Sequence, residues 1–74
     1  MIRVRVTWKL LWRNKEPEDI LAPEAARVAD LLSILHAEDL RDHVLIIRNK
    51  HMADGTEPLC DGDTISIVPV VCGG

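Results

Sequence analysis

The sequence predicts a small α+β domain, with one amphipathic helix laid against one side of a mixed sheet. Three observations predict it. Ile2, Val4, Val6 and Trp8 alternate with Arg3, Arg5 and Thr7, a period of two rich in β-branched residues. A second β-branched run, Thr64 to Val71, lies at the other end of the chain. Between them Val28, Leu31, Leu32 and Leu35 recur at the spacing of one helical face. The first and last strands are the most strongly patterned, so they are placed side by side and parallel. A parallel pair needs a long crossover, and the helical segment supplies it.

Each element can be argued in order. The first strand is fixed over Ile2 to Trp8. Lys9 to Trp12 either continues it or turns away as a loop or short helical turn. Arg13-Asn14-Lys15-Glu16-Pro17 reads as a turn, and Glu18 to Ala22 as an antiparallel return strand with Ile20 inward. Pro23-Glu24 opens the helix or the loop before it, and the helix ends near His36 to Glu38. Glu38 to Asp42 is a polar connection. Val44 to Ile47 is a short apolar strand, covered in part on both faces. Ala53-Asp54-Gly55-Thr56 and Asp61-Gly62-Asp63 are turn signals, with Leu59 tucked under the sheet between them. In the last strand Ile65 and Ile67 share one face, and Ser66 and Val68 share the other.

Size and composition bound the function. Seventy-four residues make a single domain, 1–74, with one core and little room for an enclosed catalytic cleft. The chain is 47% hydrophobic and carries a formal net charge of -3, so it is globular and has no basic excess for a nucleic acid. The only aromatic residues are Trp8 and Trp12, which makes the expected core aliphatic. Cys60 and Cys72 match no metal or redox spacing, and no run approaches a membrane span. A soluble, cytoplasmic, reduced protein is expected. His36, His43 and His51 lack partners at zinc spacing, so no metal site is expected. Cys60 reads as a small buried hydrophobe. Arg3, Arg5, Lys9, Arg13 and Lys15 leave the first fifteen residues without an acidic group. They form either a steering surface for an acidic partner or a solvated strand face.

The sequence finishes in Gly73-Gly74, close behind the last strand. Glycine lacks a Cβ, so such a dipeptide passes through a channel too narrow for others. Pro69 has no N–H and ends ladder pairing, which leaves residues 70–74 as an exposed arm. Val68, with Leu45 and Ile47, would form an apolar docking patch beside that arm, continued by Val70 and Val71, unless a loop covers it. Cys72, two residues from the terminal carboxylate, reads as a small spacer rather than a reactive thiol.

Val28-Ala29-Asp30-Leu31-Leu32, then Asp61-Gly62-Asp63 before an aliphatic strand, then Pro69 and Gly73-Gly74, resemble the ubiquitin-like sulfur carrier family over essentially the whole chain. That family includes the small subunit of molybdopterin synthase and the thiamine sulfur carrier. The resemblance implies the β-grasp fold, in which a mixed sheet curls around one helix. It implies that Gly74 is adenylated by a ubiquitin-activating-type enzyme at the expense of ATP. A sulfur donor then converts it to a thiocarboxylate, which a synthase subunit accepts. No cofactor is then bound by this chain, and it is not itself an enzyme. Pro69 is more like the molybdopterin branch. Three departures stand out: Asn49 is followed by Lys50 where family members often have Asn-Gly, Cys72 precedes the glycine pair, and the Trp8 to Trp12 stretch matches no feature of the family. Two other functions share these residues: a protein modifier joined to lysines through Gly74, and a plain interaction domain with an incidental Gly-Gly end.

Overall fold

The computed structural model describes residues 1–10 and 13–70. Trp12 and the expected tail residues Val71, Cys72, Gly73 and Gly74 lie outside the described residues. The elements are β1 (Ile2–Leu10), β2 (Arg13–Ala22), α1 (Val28–Ile34), a 3-10 turn (Glu38–Leu40), β3 (Val44–Arg48), β4 (His51–Met52) and β5 (Thr64–Pro69). They form one sheet in the order β2-β1-β5-β3-β4. β1 and β5 run parallel through Val6↔Ile65 and Trp8↔Ile67, as their patterning predicts, and every other neighbouring pair is antiparallel. A mixed sheet wrapped on one helix in this order is the β-grasp fold.

The alternation in β1 decides its two faces. Ile2, Val4, Val6, Trp8 and Leu10 are buried, so the strand continues past Trp8 rather than breaking off at Lys9. Trp8 is an exception to an aliphatic core: its ring is buried and its indole N–H donates to Glu18 Oε1 at 3.4 Å. Ile65 and Ile67 of β5 lie under the same face, with Val28, Leu31 and Leu32 of α1 and with Leu59. Each such aliphatic side chain contributes about 1.5–3 kcal/mol by leaving water.

Residues 13–17 are not a turn but the start of β2, with Leu10 already opposite Arg13. Glu16 and Pro17 stand together opposite Thr7, because Val6 pairs with Glu18 and Trp8 with Lys15. This extra residue is a bulge on an edge strand, where a proline without an N–H is tolerated. The proline that suggested a turn marks the bulge instead. Ile20 is half-buried against the core, as expected.

Pro23-Glu24 belongs to the loop before the helix. α1 is seven residues long, and the Asp30 carboxylate accepts the Arg27 backbone N–H at 2.9 Å at its start. It stops at Ile34, earlier than the periodicity suggests, because Leu35 leaves helical geometry and His36 takes a positive φ of 57°. Leu35 still packs on the core. The connection after it is not wholly polar, since its 3-10 turn buries Leu40.

Asn49 and Lys50 join β3 to β4 with φ of 50° and 74°. Positive φ at both central residues is the hairpin geometry that favours Asn-Gly. The turn is thus built as in an Asn-Gly hairpin, with a lysine in the conformation glycine favours.

Candidate functional site

β5 is the element that carries the chain toward Gly74, and both of its ends can be described. Its start is held by Asp61-Gly62-Asp63. Asp61 Oδ1 accepts the Arg3 backbone N–H at 2.8 Å, and the Gly62 N–H donates to the Arg3 carbonyl at 2.8 Å. Gly62 sits at φ +87°, where a side chain would be strained. Asp63 is 5% exposed, and its carboxylate accepts four donors. These are Arg48 Nε at 2.7 Å, Arg48 Nη2 at 3.5 Å, Asn49 Nδ2 at 2.9 Å and the Cys60 N–H at 2.7 Å. Burial alone would push its pKa up. The Arg48 guanidinium, the Cys60 amide and Asn49 overcome that and hold the carboxyl below the usual range. Asn49 also accepts the Thr64 N–H at 2.9 Å and gives its own N–H to the Thr64 carbonyl at 2.8 Å. Cys60 is exposed, contrary to expectation: Leu59 turns inward, and Cys60 then faces out within 3.5 Å of Arg48 Nη2.

The other end of β5 is held more lightly. Pro69 is its last residue and stands opposite Val44. The Val70 N–H donates to the His43 carbonyl at 3.0 Å. That bond makes Val44↔Pro69 the kind of antiparallel pair whose N–H groups point away from each other. Pro69 therefore loses nothing toward β3. Its missing N–H faces β1, where the parallel ladder stops after Trp8↔Ile67. Val70 is 38% exposed. Four further residues lead to Gly74.

Beside this exit lies the sheet face that α1 does not cover. Leu45 pairs with Val68 and Ile47 with Ser66, so all four point to that face. Leu45, Ile47 and Val68 are half-buried and form an apolar strip across β3 and β5. The structure thus brings together Leu45, Ile47 and Val68 on one face, with Val70 at their end, while Pro69, opposite Val44, faces the helix side. Ile47 and Val68 open into a groove of about 510 Å³ that Lys9 and Lys50 also line. Farther along β1, exposed Arg5 is paired through Nε with Asp19 Oδ1 at 3.0 Å. That bond to the guanidinium holds the Asp19 carboxyl below its ordinary range.

The lysines and the Asp63 clamp escape a reading of the sequence. Lys9 and Lys50 lie 41 positions apart, and only the strand order places them on one groove. The clamp had a partial signal in Arg48-Asn49, two polar residues directly after an apolar strand. Among the described residues no group of His, Cys, Asp and Glu is arranged to hold a metal ion, and no helix is long and apolar enough to cross a membrane.

Comparison with known proteins fits this geometry. The ThiS family model matches residues 12–74. The chain is similar to the putative molybdopterin converting factor subunit 1 of Pyrococcus furiosus, at 25% identity over 96% of this chain and 100% of that one, with a TM-score of 0.80. It is similar at 33% identity to a chain in the complex of subunits 1 and 2 of the molybdopterin-converting factor of Helicobacter pylori, over 99% of this chain and 100% of that one, with a TM-score of 0.69. Small archaeal modifier protein 1 of Haloferax volcanii, 21% identical over 96% of this chain and 100% of that one, shares the fold with a TM-score of 0.70. No curated protein matches the sequence.

Proposed function

The chain belongs to the ThiS family, and from that premise we propose that it carries sulfur on its terminal residue, Gly74. Small subunits of this type are non-catalytic carriers, so the reaction is supplied by partners. A carboxylate is a poor electrophile because it is an anion with no good leaving group. An adenylating enzyme of the ubiquitin-activating type would join the Gly74 carboxylate to AMP from ATP, releasing pyrophosphate. The terminal sulfur of a persulfide would attack the acyl carbon and expel AMP. Cleavage of the resulting acyl disulfide by a thiol would leave the thiocarboxylate.

The observation that carries this reading is the end of β5. Pro69 ends the ladder to β1, and the strand stops there, five residues before Gly74. Leu45, Ile47 and Val68 form an apolar strip beside that exit, which is the proposed docking surface, with Val70 and Val71 continuing it. Cys72 and Gly73 are proposed as slender spacers that let Gly74 enter a narrow active site. The likeness to molybdopterin-converting subunits supports a molybdopterin-type acceptor over a thiamine-type one. It also supports a second, larger synthase subunit as partner, since the Helicobacter pylori relative is found in a complex of subunits 1 and 2.

Intact mass spectrometry tests this after incubation with an adenylating enzyme, ATP and a persulfide donor. The expected product gains the mass difference between sulfur and oxygen, and deletion of Gly74 abolishes it without changing the unfolding transition. Conjugates bearing a branched Gly-Gly remnant on lysines, with no thiocarboxylate, would instead identify a protein modifier.

A further inference from the structure

The hairpin between β3 and β4 carries a strain that the fold does not explain. Asn49 and Lys50 both hold positive φ, at 50° and 74°. Asparagine tolerates that region, and Asn49 is used there: its side chain bonds Asp63 and the Thr64 N–H. Lys50 takes no part in the clamp. It is exposed, and its side chain makes no hydrogen bond or ion pair among the described residues. Glycine would hold the same φ without strain. Strain kept at a residue with no structural partner points to a use for its side chain.

That side chain lines the groove of about 510 Å³ beside the apolar strip. Lys9 enters the groove from β1 and Lys50 from the hairpin, with Ile47 and Val68 between them. Lys9 is likewise exposed and joins no ion pair among the described residues. No acidic residue lines this groove, although the whole chain carries a net charge of -3. The neighbouring hollow farther along β1 is balanced, with Asp19 and Asp61 beside Arg3 and Arg5. Met52 enlarges the apolar surface at the hairpin end: it stands opposite Ile47, so on the same face, and is 68% exposed.

We infer that Lys9 and Lys50 receive two carboxylates of the adenylating enzyme, set on either side of an apolar ridge that covers Ile47, Met52 and Val68. The inference rests on the docking surface proposed above and adds the chemistry of its partner. Two ammonium groups with no acid of their own chain beside them call for negative charge on the surface that meets them. Exposed lysines act on encounter rate and salt dependence more than on the lifetime of a complex. That suits an enzyme that must bind a carrier, act on it and release it. The same reading accounts for the strained turn: glycine at position 50 would relax the hairpin and leave the groove with half its charge.

The test is calorimetric titration of the full chain into an adenylating enzyme of the ubiquitin-activating type from the same organism, without ATP. Lys50→Gly should weaken the Kd about fivefold, the scale of one ion pair, while its unfolding midpoint does not fall. Lys50→Arg should bind like the wild type, and Lys9→Gln should lose about as much as Lys50→Gly. The wild-type Kd should weaken with added salt more steeply than that of Lys50→Gly. Arg41→Gln removes an equal charge from the helix side of the sheet and should bind unchanged. Binding that follows these charges, with no gain in mass once ATP and a persulfide donor are added, would uphold the inference and overturn sulfur carriage at Gly74. Equal binding by Lys50→Gly and the wild type, a loss that persists undiminished at high salt, or no binding by the wild type would each overturn the inference.

Discussion

At its start β5 is tied to its neighbours by side chains and backbone together, whereas at its finish the described chain is held by one backbone bond. Asp63 gathers Arg48, Asn49 and the Cys60 amide, and Asp61 and Gly62 lock onto Arg3. At the other end Pro69 drops out of the ladder to β1, and Val70 keeps its bond to His43. The difference teaches that one strand can be fixed firmly at one end and lightly at the other while its middle stays buried in the core.

The body between the two ends sets the scale. Ile67 is fully buried at the centre of the sheet, so Ile67→Ala should cost about 4 kcal/mol in urea unfolding. At the clamp, Asp63→Ala should cost about 2 kcal/mol, because it leaves the Cys60 N–H unmet and leaves Arg48 with only its longer ion pair to Glu57 at 3.6 Å. The clamp also predicts a pH dependence. The Asp63 carboxyl is held below its ordinary value in the fold, so its contribution is complete above about pH 4. It is lost as the pH falls through the lower folded value. Wild-type stability should therefore drop more steeply below pH 4 than that of Asp63→Asn, and equal slopes would remove Asp63 as the anchor.

Next to the clamp, Lys50 holds a φ of 74° that an L-residue adopts at a cost. Lys50→Gly should raise stability by about 1 kcal/mol, less the entropy glycine adds to the unfolded chain. A loss of stability would show that the Lys50 side chain offsets the strain.

The strong elements were legible because their burial repeats locally. The alternation of β1 and the Val28, Leu31, Leu32 face of α1 state which side is covered, and the parallel pairing of β1 with β5 followed from them. β2 was half hidden. It is an edge strand whose first residues, Arg13 to Glu18, include only one apolar residue, Pro17, so no alternation announces them. Cys60 was misplaced because residue preference says buried, while its position directly after the inward Leu59 turns it out. The shared face of Val68, Leu45 and Ile47 was legible, since Ile65 and Ile67 fix the opposite face. The Asp63 clamp was not, because Arg48, Asn49, Cys60 and Asp63 meet only after β3 and β5 have paired.

The smallest effect belongs to the lightly held end. Val70→Pro removes the N–H that reaches the His43 carbonyl and follows a residue that already lacks one. A neutral backbone hydrogen bond contributes about 0.5–1.5 kcal/mol net, and this one lies at a partly exposed chain end, so about 0.5 kcal/mol should be lost. The Ile67 amide should keep its protection from hydrogen exchange, because the strand interior does not rely on Val70. A destabilisation approaching that of Asp63→Ala would mean that the two ends of β5 are held alike, and the separation of anchor from exit would fall with it.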